Sequence, residues 1–252
     1  MKTSMVVGIV VTAVLIAFSG VAFAGPPPTP CSGFLAAGTY TAIVVLTGNS
    51  CRIGDDGAGP TLIAGDVTVQ AGADLIIGGS SGDVVIHGSV KGLSGCDFVE
   101  VDHSGPSTTI LIGGNLDIES CGDGNFNGCR ALSVGTLPAG NTLIGGNMTC
   151  VKSTNGSQCV TDRCIIAGDL TCSGNSGGCV VPATTIGGNA TLNNNSGGTS
   201  ITASVVAGNV TVQNNSGGAA VTGNAISGNL TCANTGGTIQ SGNEVAGKSS
   251  CF

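Results

Sequence analysis

The sequence has little charge, few aromatic residues and no tryptophan. Of its 252 residues, 8% are charged and 3% are aromatic, which leaves few large side chains for a thick core. Seven basic residues face 14 acidic ones, so the chain lacks the basic surface that a nucleic acid partner requires. The hydrophobic fraction of 41% argues against a disordered chain, which would be poor in apolar residues. The 45 glycines indicate that apolar side chains are buried in small units.

The N-terminal segment has the features of an export signal. An apolar run over 5–18 is followed by Ala22-Phe23-Ala24, and this arrangement predicts a signal peptide over 1–24. Residues 25–30 are rich in proline and predict a stiff tether, with the folded domain over 31–252. No further apolar run is long enough to cross a membrane. We therefore expect a secreted product, extracellular, at the cell surface or in a periplasm.

A repeated motif dominates the rest of the chain. Its order is aliphatic, small, Gly, Asn or Asp, apolar, Thr, apolar. Clear copies begin at Ile63, Ile144, Ile166, Ile186, Val206 and Ile226, and weaker copies begin at Ile86, Ile112 and Val245. The motif glycine recurs after 23, 26, 32, 22, 20, 20, 20 and 19 residues, and the constancy of the later steps indicates a structural period.

The repeat predicts an all-β fold. Apolar and polar residues alternate within each copy, which is typical of a strand with one buried face. Short strands cannot bury a face alone, but stacked copies form a continuous core. We therefore expect a single-stranded parallel β-helix, or β-solenoid, with coils of about 20 residues. An antiparallel sandwich with glycine-rich turns explains the strand density but not the equal period.

Stacking places like residues above one another. The Asn residues at 189, 209 and 229, and those at 195 and 215, are expected to form two ladders of side-chain amides. Twelve cysteines favour disulfides over zinc, because they do not form paired C-x-x-C units. Neighbouring coils bring equivalent residues within disulfide range. The predicted pairs are Cys31–Cys51, Cys96–Cys129, Cys150–Cys172, Cys159–Cys179 and Cys232–Cys251, and Cys121 and Cys164 have no predicted partner.

The copies from Ile144 to Cys251 resemble exported Gly/Asn/Thr-rich parallel β-helix proteins of bacteria. The aliphatic-x-Gly-x-aliphatic rhythm is also similar to bactofilin-type polymer-forming β-helices, but those are cytoplasmic, and the predicted signal peptide departs from that pattern. The resemblance implies a non-enzymatic structural or surface-interaction protein, adhesin-like and capable of self-association. The expected partners are further copies of the chain or a cell-surface or matrix component. Fold alone does not define function.

One cluster has catalytic residue types: Asp97, Glu100, Asp102 and His103. In polysaccharide lyases of this general fold, outer acidic residues bind calcium beside a Lys or Arg base, and Lys91 and Arg130 are the nearest candidates here. A polysaccharide-acting enzyme is therefore an alternative function. The simpler interpretation is a solvated acidic strip, and no catalytic residue is assigned.

A second segment suggests calcium. Asp123, Asn125 and Asn127, with Gly128 at position six, match the first half of a calcium loop. Val134 stands where position twelve should be acidic. The sequence therefore favours a plain turn between Cys121 and Cys129, and calcium is the one cofactor candidate.

The motif also predicts an outward polar face, the candidate interaction face. Its members are Asn147, Thr149, Asp169, Thr171, Asn189, Thr191, Asn209, Thr211, Asn229 and Thr231. Regular ranks of Thr look like the ice-binding faces of solenoid antifreeze proteins, although those faces usually have Thr in both ranks. Ice binding is therefore a further alternative. The simpler interpretation is that any exposed strand needs a polar outer face.

Overall fold

A computed structural model describes residues 26–55, 59–78, 82–103, 108–122, 126–131 and 141–251. In this part of the chain the ordered elements are 31 short β-strands, with no α-helix. The strands form three sheets in which each strand pairs with the strands three before and three after it. All pairings are parallel. This is a parallel β-solenoid, and the fold prediction is confirmed.

Each coil contributes one strand to each sheet. Sheet 1 contains β1 Thr29–Cys31, β4 Ile43–Val45, β7 Val67–Val69, β10 Val90–Gly92, β13 Leu116–Glu119, β16 Met148–Val151, β19 Leu170–Ser173, β22 Ala190–Asn193, β25 Val210–Gln213, β28 Leu230–Ala233 and β31 Ser249–Ser250. Sheet 2 contains β2 Gly33–Leu35, β5 Ser50–Ile53, β8 Asp74–Gly78, β11 Phe98–His103, β14 Phe126–Ala131, β17 Gln158–Asp162, β20 Cys179–Pro182, β23 Thr199–Thr202, β26 Ala219–Thr222 and β29 Thr238–Ser241. Sheet 3 contains β3 Gly38–Tyr40, β6 Thr61–Ile63, β9 Val84–Ile86, β12 Thr109–Ile112, β15 Asn141–Ile144, β18 Ile165–Ile166, β21 Thr185–Ile186, β24 Val205–Val206, β27 Ala225–Ile226 and β30 Glu244–Val245.

Alternation along the strands fills the interior. In β22, Ala190 and Leu192 are fully buried while Thr191 and Asn193 face outward. The same pattern recurs in β25, where Val210 and Val212 stack on that pair. Successive coils therefore place their apolar side chains in continuous columns, which is how such short strands share one core.

Three corners join the sheets: the first corner follows sheet 1, the second follows sheet 2, and the third follows sheet 3. At the third corner the motif Asn residues form an exposed ladder. The backbone N–H of Asn209 donates to Oδ1 of Asn189 at 2.9 Å, and its Nδ2 donates to the same oxygen at 3.1 Å. Asn229 repeats both contacts on Asn209. The predicted ladder is confirmed.

The motif glycine has a steric reason at this corner. A Cβ on Gly208 would lie 2.6 Å from both the Oδ1 of Asn189 and the backbone oxygen of Gly188. Such a contact is far inside van der Waals range, so only glycine lets consecutive coils stack here.

The first corner carries a second, buried ladder. Nδ2 of Asn195 donates to Oδ1 of Asn215 at 3.0 Å and to the carbonyl of Cys172 at 3.2 Å. Oδ1 of Asn195 accepts the backbone N–H of Asn175 at 3.0 Å. These side chains are no more than 1% exposed. The backbone groups of the corner are not paired as they are within the strands, so the side-chain amides provide hydrogen-bond partners for them. This predicted ladder is confirmed as well.

The second corner has a similar ladder of hydrogen-bonded side chains, formed by other residue types. The Ser204 N–H donates to Oδ1 of Asn224 at 2.9 Å, and the Thr184 N–H donates to the hydroxyl of Ser204 at 3.1 Å. Nδ2 of Asn224 donates to the carbonyl of Ile201 at 2.9 Å. No single repeated residue marks this third ladder in the sequence, because Thr, Ser and Asn share its column.

The N-terminal end begins slightly earlier than predicted. Strand β1 starts at Thr29, inside the segment interpreted as a tether, and Pro30 pairs in register with Val44. Proline has no N–H to donate, which suits an edge strand. The predicted signal peptide over 1–24 lies outside the described residues. None of the described segments forms a helix of membrane-spanning length and hydropathy.

Five pairs of cysteines lie at disulfide distance. The predictions Cys31–Cys51 and Cys232–Cys251 agree with the structure, where their Cα atoms are 5.6 and 4.4 Å apart. Each of these disulfides ties a terminal coil to its neighbour. Both ends of the described solenoid are thus covalently fastened.

The other three predicted pairs are wrong. The structure joins Cys96 to Cys121, Cys129 to Cys164, and Cys172 to Cys179. The predicted Cys96–Cys129 pair fails because Cys96 lies in the turn before β11, whereas Cys129 lies within β14.

The remaining two predictions have the correct register but the wrong bond. Cys150 and Cys172 are register partners, as are Cys159 and Cys179. Cys172 is nevertheless bonded across the first corner to Cys179, within one coil, with a Cα separation of 6.3 Å. Stacking alone does not determine whether a cysteine bonds to a neighbour in the same column or to one across the interior.

Candidate functional site

The outward side of sheet 1 carries a regular column of threonines, which we call the threonine face: Thr149, Thr171, Thr191, Thr211 and Thr231. Each is the second residue of its strand, between two buried neighbours, and each is half-buried. Register pairing fixes their spacing at the strand separation of about 4.8 Å. The threonine face is therefore a straight row of β-branched side chains.

The hydroxyls of the threonine face are available to a ligand. Within the described part of the chain, none of these five hydroxyls forms a hydrogen bond to another protein group. The adjacent amides of the third corner are different, since their oxygens already accept bonds from the next coil. The predicted interaction face is brought together as one surface, but its two columns have different roles: the amides hold the coils and the hydroxyls face solvent.

Toward the N-terminus the same column contains charged residues in place of threonines. Lys91 and Asp117 are register partners there, and Asp117 pairs in turn with Thr149. Nζ of Lys91 lies 2.7 Å from Oδ2 of Asp66, an ion pair at the third corner. Partial burial of Asp66 opposes ionisation, but hydrogen bonds from Lys91 and from the Ser89 N–H outweigh it and lower the pKa of Asp66. The hydrogen bond to Asp66 raises the pKa of Lys91.

The proposed catalytic strip is only partly assembled. Glu100 and Asp102 lie on the outward side of sheet 2, since Val99 and Val101 between and beside them are buried. The candidate base Lys91 lies on sheet 1, where it is paired with Asp66.

The other residues of that proposal are Asp97, His103 and Arg130. Asp97 lies in the turn before β11, and Arg130 pairs in register with Asp102 through the backbone. The side chains of Arg130 and His103 lie outside the described part. The structure therefore places one candidate base on a different sheet and brings the backbone of the other beside the strip.

The calcium segment falls mostly outside the described residues, which include neither Asp123 nor Asn125. Asn127 lies within β14 and pairs in register with Cys159. From Phe126 onward the segment is a strand, and the rest of the turn expected between Cys121 and Cys129 lies outside the described residues.

Two features were not anticipated from the sequence. One is a shallow depression of about 520 Å³ on the outer side of sheet 2, lined by small residues such as Gly198, Ser200, Gly218 and Ala220, with Ile239 at its edge. The sequence signal for this depression is the set of glycine and alanine columns that flank an exposed isoleucine.

The other is a cluster of buried cysteines. Sγ atoms of Cys159, Cys172 and Cys179 lie within 4.8 Å of one another, and Cys150 adjoins them. Their repeat positions were correctly aligned from the sequence, but the grouping of all four across the first corner was not expected.

Comparison with known proteins gives no relative from which a role could be transferred. No protein-family model matches the chain, and no curated protein or solved structure is significantly similar to it. The molecule is an all-β parallel β-solenoid with several cysteine pairs at disulfide distance.

Proposed function

We propose that this protein is a secreted, non-enzymatic structural module that contacts an extended polar surface through its threonine face. The observation that carries the proposal is the row of five in-register hydroxyls with no protein partner among the described residues. The disulfide-distance pairs support an oxidising, extracellular location. The candidate base Lys91 lies on a different sheet from the acidic strip and is paired with Asp66, which gives an enzymatic role that uses this base less support.

The chemistry of the face favours a periodic, uncharged partner. From Leu170 to the end, the chain contains only two charged residues, Glu244 and Lys248, so electrostatic attraction contributes little along this length. A row of hydroxyls at about 4.8 Å spacing can form one hydrogen bond per coil with a regularly repeating acceptor. A cell-surface or matrix polysaccharide has such repeated hydroxyl groups.

The test is co-sedimentation with insoluble polysaccharides, using crystalline cellulose, chitin and isolated cell-wall material as probes. The variant Thr191→Val/Thr211→Val removes two hydroxyls from the threonine face and keeps β-branched shape. Its matched control, Thr202→Val/Thr222→Val, removes two outward hydroxyls of sheet 2 from the same two coils. We expect the first variant to lose about tenfold in affinity, since each hydrogen bond contributes about 0.5–1.5 kcal/mol, and the control to bind normally. Equal binding by both variants would contradict the proposal, as would no retention of the unmodified protein.

Ice is a second candidate surface, favoured by the same regular spacing of the Thr column beside an Asn column. Thermal hysteresis and ice-crystal shaping of the unmodified protein and of Thr191→Val/Thr211→Val test this candidate. Hysteresis that falls in this variant and not in the sheet 2 control would favour ice. Absence of both effects would exclude it.

Self-association through the ends is also part of the proposal, but the end coils favour limited assembly. Pro30 and the Cys31–Cys51 disulfide lie at one edge, and Glu244 and Lys248 lie in or beside the last strands at the other. Prolines and charges on edge strands hinder pairing with another sheet. We therefore expect short rods in negative-stain electron microscopy, and long filaments would contradict this.

A further inference from the structure

Four cysteines meet inside the solenoid at the first corner, where the regular coils begin. Cys150 and Cys172 lie side by side on sheet 1, and Cys159 and Cys179 lie side by side on sheet 2. All four are fully buried. The two coils thus present the same arrangement twice: one cysteine on each side of the corner.

In the second of these coils the arrangement is a disulfide. Cys172 and Cys179 are joined with their Cα atoms 6.3 Å apart. Moving back by one coil replaces Cys172 with Cys150 and Cys179 with Cys159, because both pairs are register partners. Parallel in-register strands keep their lateral spacing, so the Cα atoms of Cys150 and Cys159 stay near the separation that a disulfide accepts.

We propose that Cys150 and Cys159 form a second disulfide across the first corner, stacked on Cys172–Cys179. The new S–S bond removes two protons and two electrons from the two thiols. A small-molecule or protein disulfide accepts the electrons by thiol–disulfide exchange, and its own S–S bond is cleaved to two thiols. With this bond, all twelve cysteines of the chain are paired.

Burial determines when the bond must form. Burial raises the pKa of the Cys159 thiol, and contact with the Cys150 thiol raises it further. A neutral, fully buried thiol is a poor nucleophile and is closed to an oxidant. The disulfide therefore forms while the chain is folding, before the next coil covers it.

The bond has a clear structural use. The corner between Cys150 and Cys159 is two residues longer than the corner between Cys172 and Cys179, which are separated by seven positions. A longer connection costs more entropy to order. A cross-corner bond holds this longer corner in the register that the following coils continue.

The sequence permits a decisive peptide map. Trypsin cleaves after Arg130, Lys152 and Arg163, so Cys150 is the one cysteine of peptide 131–152 and Cys159 is the one cysteine of peptide 153–163. Oxidatively folded protein is unfolded in concentrated guanidinium chloride with an alkylating reagent and no reductant, then digested and analysed by mass spectrometry. We expect no alkylated cysteine in the intact chain, and a species in which these two peptides are joined to each other alone.

Each other outcome overturns the proposal. Two singly alkylated peptides would mean that both thiols are free. A link from peptide 131–152 to peptide 164–248 would mean pairing between coils. Four alkylated cysteines in the cluster, together with one equivalent of zinc measured by elemental analysis, would mean a closed tetrathiolate metal site.

Thiol counts in variants give an independent check under the same unfolding conditions. The unmodified protein should give a count of zero, and the single changes Cys150→Ser and Cys159→Ser should each expose one alkylatable thiol, on Cys159 and on Cys150 respectively. An alkylated thiol on any other cysteine of either single variant would show that the two residues are not partners. The peptide map uses the unmodified protein, so the proposal stays testable if a variant does not fold.

Discussion

The two halves of the solenoid hold their corners together by different means. In the first half the third-corner ladder joins residues 23, 26 and 32 positions apart, and the buried first-corner residues include Ala73, Cys96 and Cys121. In the second half the spacing settles at 20, and the corresponding buried residues are Asn175, Asn195 and Asn215.

This contrast explains why the period becomes constant in the second half. A buried amide must find its partners within hydrogen-bond distance, so an inserted residue leaves several polar groups unsatisfied. Apolar contacts are not directional and disulfides join only two points, so coils stapled in that way tolerate loops of different length. Regular sequence and buried amide ladders therefore occur together.

The largest effect should come from breaking the buried ladder. Asn195→Ala leaves the Asn175 N–H and the Cys172 carbonyl without the partners they have in the structure, and we expect a loss of about 3–5 kcal/mol in the free energy of unfolding. The control Asn189→Ala, on the exposed ladder, should lose about 1 kcal/mol because water replaces the amide. Guanidinium unfolding followed by circular dichroism measures both. Equal losses would remove the distinction between the two ladders.

Close backbone stacking in the second half predicts the next effect. A Cβ on Gly197 would lie 2.3 Å from the carbonyl carbon of Gly177, whereas a Cβ on Gly198 would meet nothing within 4 Å. Gly197→Ala should therefore lose about 2–3 kcal/mol by overpacking, and Gly198→Ala should be nearly neutral. Guanidinium unfolding measures the stability of both variants. A neutral Gly197→Ala would mean that the coils are more loosely stacked than described.

A smaller effect concerns the ends. Glu244→Gln/Lys248→Gln removes both charges from the last coil at constant net charge, and should raise the end-to-end association constant about tenfold, or 1.4 kcal/mol. Asp162→Asn/Arg163→Gln removes an opposite-charge pair from the middle of the rod and should not change association. Sedimentation velocity over a range of concentrations compares the two. Similar behaviour of both variants would argue against protection by the edge charges.

The smallest effect is the pH response of the first half. Because the pKa of Asp66 is lowered in the folded chain, its ion pair stabilises the protein above the unfolded pKa and is lost as pH falls through the folded value, below about pH 4. Both side chains are more than 40% exposed, so the contribution is below about 1 kcal/mol. Lys91→Met should flatten this acid-dependent step in thermal unfolding measured at several pH values. An unchanged step would assign it to other carboxylates.

Much of the architecture could be predicted from the sequence, and the limits have physical causes. The motif from Ile186 to Leu192 specifies an alternating strand and a glycine corner, so period, strand direction and both Asn ladders followed. The bonding partners of Cys150 and Cys172 could not be predicted. A repeat defines which residues share a column, but it leaves open which neighbour a side chain meets across the interior. The misaligned Cys96 and Cys129 lie among the coils of irregular length, where the period gives no reliable register.

The candidate site was predicted as a surface but not in its chemistry. Alternation correctly placed Thr191 and its equivalents outward, since their neighbours are apolar. That the amide of Asn189 is engaged by Asn209 while the Thr hydroxyls are not depends on the distance between coils, which the sequence does not state. The position of Lys91 away from the acidic strip likewise depends on which sheet each strand joins.

The side-chain ladders of the three corners also determine the electrical symmetry of the rod. In the exposed ladder the Oδ1 of Asn189 accepts from the following coil, so the negative end of its carbonyl dipole faces the C-terminal end. In the buried ladder the Oδ1 of Asn195 accepts from the preceding coil, so its dipole points the other way. At the second corner the Oδ1 of Asn224 also accepts from the preceding coil, so the two buried rows together oppose the exposed one. Dipoles aligned head to tail add along an axis, and opposed rows offset one another. The rod can therefore lengthen coil by coil with a smaller field at its tips than one row of amides alone would build.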